Sequence, residues 1–202
     1  MNKTTNEQRW KTSFFALLGI FLLFLCVLIL LIFWPVPDTS LPDKTFIEEE
    51  DGAEFTIHSS KQNLNELVNG YVDKFMKDDR NKYTVHFSDD VRLMGSIEAF
   101  QTSIPVTIIL EPVVLENGDM ILNQKEISLG LLHLPNKRVL NYVKKNLPTP
   151  DWVTINPKEE SIYVAITQME MKSNFKVKIQ QFDLKNDKIS FRIKVPNKTL
   201  GL

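Results

Sequence analysis

A chain of 202 residues with a formal net charge of −1, 43% hydrophobic and 24% charged residues has room for one ordinary folded domain plus an appendage. The first 34 residues carry +2, which leaves about −3 for the rest and excludes a polycation built for nucleic acid. A single cysteine, Cys26, excludes a disulfide framework and a cysteine-based zinc site.

The first element is an apolar run, Phe14 to Trp34, of 21 uncharged positions. At about 1.5 Å per residue, such a helix crosses a hydrocarbon core about 30 Å thick. A cleaved signal peptide has a shorter apolar region, about 7 to 15 residues, and ends at small residues. Here the run meets Trp34-Pro35-Val36-Pro37, and Leu25 stands before Cys26 where an acylated lipoprotein cysteine requires a small residue. The expectation is an uncleaved transmembrane helix over 14–34. Lys3, Arg9 and Lys11 precede it, whereas Lys44 stands alone among the acidic residues that follow. The positive-inside rule then makes residues 1–13 a cytoplasmic tail of a single-pass cell-membrane protein, with the C-terminal domain extracytoplasmic.

Residues 35–54 contain "PVPDTSLPDK" and the charge run "EEEDG" and read as a semi-rigid, solvated spacer. The predicted domain is 55–202. Ser59-Ser60-Lys61-Gln62 fits a capping box, and Leu64, Leu67, Val68, Tyr71, Val72, Phe75 and Met76 follow at helical spacing. Gly70 falls on the opposite face, where it costs about 1 kcal/mol relative to alanine unless another element approaches closely.

From Lys82 the period changes to two. Strands are predicted at 83–87, 91–97 and 104–108, and Asn117-Gly118-Asp119 marks a turn between 113–115 and 120–122. Pro105 and Pro112 donate no ladder hydrogen bond and point to edges or bulges. Pro135 opens a second helix in which Val139, Leu140, Tyr142, Val143 and Leu147 share a face, with Lys144 and Lys145 near its carbonyl end; Pro148 and Pro150 stop it. Three more strands are predicted, at 161–169, 175–182 and 188–195. The order of elements, without βαβ alternation, predicts an α+β fold: an N-terminal transmembrane helix, then an extended, curved, mostly antiparallel sheet packed by two helices.

Catalytic signatures are missing from the sequence. His58, His86 and His133 lack metal-ligand spacing, and no nucleophile elbow, phosphate loop or zinc-protease helix occurs. Asp89-Asp90 and Glu159-Glu160 sit where turns are expected and do not make a catalytic pair. The expectation is a protein without catalytic residues, metal or cofactor. Its apolar faces either close into one core or leave a groove suited to an acyl chain, lined by Leu67, Tyr71, Phe75, Val139, Tyr142, Val143 and Trp152. The sharper reading is a module that binds a lipid or lipid-linked envelope component. The alternative is an envelope scaffold that binds another membrane or cell-wall protein.

The segments "LNELVNGYV", "VRLMGSIEAF", "LEPVVLENGDMILNQKEISLGLLHLP" and "LPTPDWVTINPKEESIYV" together resemble the YpmS-like proteins of Gram-positive bacteria, uncharacterised proteins with an N-terminal membrane anchor. That resemblance implies the anchor but supplies no catalytic residues. The order of segments is also similar, by fold-level analogy, to tubular lipid-binding domains, in which a helix packs inside a long curved sheet.

Overall fold

The computed structural model describes residues 4–32, 52–75, 83–99, 102–129, 136–146, 149–171 and 174–197. The chain divides into two compact units, 1–36 and 37–202. The first contains helix α1, Thr4–Ile32. Its side chains from Ser13 to Leu30 are all exposed, and this part of the helix is apolar on every side. That combination of length and all-round apolarity is what a single membrane span or a signal sequence requires.

Among the described residues, the second unit contains nine strands and two α-helices: β1 Gly52–Ser59, α2 Lys61–Phe75, β2 Thr84–Phe87, β3 Val91–Ala99, β4 Thr102–Val114, β5 Met120–Leu129, α3 Asn136–Asn146, β6 Val153–Asn156, β7 Ser161–Val164, β8 Lys176–Asp183 and β9 Lys188–Pro196. The architecture is α+β, and every strand pair is antiparallel. The strands form two curved, unclosed sheets: a larger one in the order β2-β3-β4-β5-β7-β6, and a smaller one in the order β1-β9-β8.

β1 was not expected. It begins at Gly52, so residues 52–54 of the stretch read as spacer are strand, and residues 33–51 lie outside the described residues. The predicted strand at 161–169 divides into β7 and a short 3-10 turn, Ile166–Gln168.

β4 shows how the sequence sets the stagger of the large sheet. β3 pairs with residues 102–110 of this strand and β5 with residues 106–114, so each end of β4 has one neighbour. Among the described residues, Pro105 lies just beyond the pairing with β5 and Pro112 just beyond the pairing with β3. The two prolines are an odd number of positions apart, so their missing donors fall on opposite sides, each on its unpaired flank. The expected bulge lies elsewhere: the register slips between Ile109 and Leu110, leaving Lys125 of β5 as the extra residue. At the β4–β5 turn Gly118 has φ +87°, and a Cβ there would lie 2.4 Å from the Lys178 Cβ. Glycine is required by both the backbone angle and the close approach of β8.

The core is drawn from both sheets and both helices. Ile108, Leu110 and Leu122 of the large sheet meet Ile179 and Ile189 of the small one, with Leu64 of α2 and Val139, Leu140 and Val143 of α3. Every residue of this core belongs to the second unit, which therefore carries what a domain needs to fold without α1.

Helix α2 starts one residue later than a Ser59–Gln62 box implies. The Ser60 Oγ accepts a hydrogen bond from the Asn63 backbone N–H at 3.3 Å, and Asp187 Oδ1 accepts from the Lys61 N–H at 2.8 Å. Two asparagines one turn apart then bind the edge of the large sheet. Val85 donates its N–H to Asn69 Oδ1 and accepts from Asn69 Nδ2, at 2.9 and 2.8 Å. Phe87 makes the same reciprocal pair with Asn65, at 2.8 and 3.3 Å. The helix thus completes β2 with side-chain amides where another strand would otherwise add.

Candidate functional site

Between α2 and the small sheet lies a cleft of about 910 Å³, at the upper end of the range of small-molecule sites. Its helical wall is Leu64, Leu67, Val68 and Tyr71, and its sheet wall is Ile57, Val177, Phe191 and Ile193. The register explains the second wall. Ile57 pairs with Phe191, Phe55 with Ile193, and Val177 with Ile193, so alternate side chains of all three strands point to one face. Thr149–Trp152 and residues of the segment 166–171, including Met169 and Met171, supply the remaining lining.

Two local structures fix those last segments. The Trp152 carbonyl accepts from the Ala165 N–H at 2.8 Å, and the Trp152 ring packs on Tyr71 with centroids 5.7 Å apart at 55°. The 3-10 turn is held from beneath by Asp119, which is 1% exposed. Asp119 Oδ1 accepts from the Thr167 N–H at 2.9 Å, while Oδ2 accepts from the Tyr163 hydroxyl at 2.5 Å and Asn117 Nδ2 at 2.8 Å. Burial, reinforced by the bond to Asp119, raises the Tyr163 phenol above its ordinary value of 10.0.

Seven large apolar side chains outside α1 are exposed among the described residues: Phe55, Ile57, Leu67, Tyr71, Val113, Tyr142 and Met171. Four of them line the cleft, and Phe55 continues the same face of β1. Leu67, at 71% exposure, projects from the helical wall without entering the core. The polar lining is Ser59, Thr149, Asp151, Gln168 and Glu170, with two carboxyl groups and no lysine or arginine. The apolar walls match an apolar chain in chemistry, and the two carboxyl groups disfavour an anionic end group.

Of the residues expected to line a groove, Leu67, Tyr71 and Trp152 come together here. The Phe75 side chain lies outside the described residues. Val139 and Val143 are buried in the core, where α3 packs on β5 and β6. Tyr142 is 39% exposed and is not among the residues lining this cleft. At about 100° per residue it falls at the flank of the stripe defined by Val139, Leu140 and Val143, so the helix buries those three and leaves the ring outside.

His58 and His86 are exposed on β1 and β2, and His133 lies outside the described residues. Asp89-Asp90 occupies the β2–β3 bend and Glu159-Glu160 the β6–β7 turn, as expected. Among the described residues, no three His, Cys, Asp or Glu side chains are grouped to hold a metal.

The chain belongs to the family of uncharacterised proteins conserved in bacteria designated DUF2140, whose model matches residues 8–195. It is 34% identical over 184 residues to the uncharacterised protein YpmS of Bacillus subtilis (strain 168), an alignment covering 91% of this chain and 96% of that relative. No solved structure matches it.

Proposed function

We propose that the protein is a single-pass membrane protein whose extracytoplasmic domain is a non-catalytic module holding the apolar chain of a lipid or lipid-linked envelope component in the cleft between α2 and the small sheet. The observation that carries this reading is the concentration of exposed apolar side chains around one concave site, since contiguous exposed apolar surface marks a place of interaction. α1 supports the anchor, and the Lys/Arg excess before it supports a cytoplasmic N-terminus. Asp151 and Glu170 favour a ligand with a neutral or cationic end.

Titration of the fragment 37–202 with the neutral apolar dye N-phenyl-1-naphthylamine tests the cleft. Leu67→Asp changes an exposed residue, so the fold is retained by circular dichroism while dye affinity falls about tenfold or more. Tyr142→Asp on α3 leaves affinity unchanged. Equal binding by the wild type and a folded Leu67→Asp variant would remove the cleft from the account.

A second reading is favoured by β1. Phe55 and Ile57 are exposed on this edge strand, and among the described residues no backbone group pairs with its outer side. Such an edge can accept a strand from an envelope protein. Crosslinking in cells separates the two, because a protein adduct that survives Leu67→Asp belongs to the edge and not to the cleft.

A further inference from the structure

The face of the small sheet that turns away from the cleft is basic. Strand alternation that sends Ile57, Val177, Phe191 and Ile193 inward sends Lys176, Lys178, Arg192 and Lys194 outward. The register then sets Lys176 directly opposite Lys194, and Lys178 directly opposite Arg192. Like charges directly opposite on neighbouring strands repel, and here two such pairs stand side by side. Glu54 is the acid that answers them, 3.5 Å from Arg192, and Thr56 is neutral. Lys188, opposite Asp183, lies farther along the same face, so five cations against two carboxylates leave +3 on this face of a chain whose overall charge is −1. The Lys178 stem lies against the hairpin tip at Gly118.

We propose that this sheet face rests on the anionic headgroups of the bilayer crossed by α1; the inference rests on the anchor part of the function proposed above. Charge complementarity selects an anionic surface, and the tether selects the bilayer. α1 ends at Ile32 and β1 begins at Gly52, so 19 residues join them. Fully extended, that length reaches roughly 65 Å at about 3.3–3.6 Å per residue, which keeps the sheet near the membrane at all times. The tether also leads directly into the small sheet, whose strand β1 begins at Gly52, paired with Pro196, and sets Glu54 opposite Lys194. An anionic surface offsets the repulsion between the paired cations, and salt weakens the contact.

The test reconstitutes the full chain in nanodiscs of phosphatidylcholine alone or mixed with phosphatidylglycerol, and reads acetylation of individual lysines by mass spectrometry. Lys176, Lys178 and Lys194 are expected to react about threefold or more slowly in the anionic discs, with the difference lost at 1 M salt, where the screening length is about 3 Å. Lys137 and Lys145 on α3 serve as references. The double change Lys176→Ser/Lys194→Ser, with circular dichroism as the fold control, removes the protection of Lys178. Inorganic phosphate added to the neutral discs is expected to give no protection; protection by phosphate alone would assign the patch to a free anion and overturn the proposal, as would equal reactivity in the two kinds of disc. Co-flotation with neutral vesicles reports on α1 separately, so loss of the anchor and loss of the headgroup contact give different results.

Discussion

Asp119 links a residue-level interaction to the shape of the site. Its carboxyl group joins the β4–β5 hairpin, Tyr163 of β7 and the Thr167 amide, and so holds the turn whose Ile166 and Gln168 line the cleft. Asp119→Ala strands the Tyr163 hydroxyl and the Thr167 N–H in the core, at a cost of about 3 kcal/mol. The raised Tyr163 pKa also fixes a pH dependence. The folded state holds the phenolic proton more tightly than the unfolded state, so this contribution is full below about pH 10 and is lost as pH rises through the folded value. Urea unfolding of the 37–202 fragment should show stability decreasing above pH 10, with Tyr163→Phe removing part of that decrease. Identical slopes in the two proteins would mean that the phenol is not held as described.

At the scale of elements, α2 has three faces in use. Leu64 enters the core, Leu67 and Tyr71 line the cleft, and Asn65 and Asn69 bind β2. Asparagine is a poor residue for a helix interior, and the amide bonds to Val85 and Phe87 give the physical reason for placing two here. Replacing both with alanine leaves four backbone groups of β2 without these partners and costs about 2–4 kcal/mol. Hydrogen exchange should then accelerate at the Val85 and Phe87 amides before it does at Ile108 or Leu110. Unchanged protection at Val85 and Phe87 would show that the helix does not complete the sheet edge. Gly70, in contrast, has no close neighbour among the described residues to offset its helical cost.

At the scale of the whole molecule, local signals in the sequence were sufficient for the apolar N-terminal helix, α2, α3 and the β4–β5 turn. The apolar period, the serines before α2 and Asn117-Gly118-Asp119 act within a few residues of where they stand, whereas Pro135 lies outside the described residues. β1 was hidden because its pairing partner lies at the other end of the domain, Gly52 against Pro196, and it follows an acidic run. The division into two sheets was hidden for the same reason. The helical side of the cleft could be read from Leu67, Tyr71 and Trp152. Its sheet side could not, because whether Ile57, Phe191 and Ile193 face the cleft depends on long-range register.

The two faces of the small sheet differ in chemistry: an apolar face toward the cleft and a basic face turned outward. The central claim is that the cleft holds an apolar chain, and native mass spectrometry of the 37–202 fragment purified from cells without detergent tests it most directly. The account predicts a population carrying extra mass that organic extraction identifies as lipid, and loss of that population in folded Leu67→Asp. A spectrum containing only the bare polypeptide, from protein that also fails to take up N-phenyl-1-naphthylamine, would contradict it.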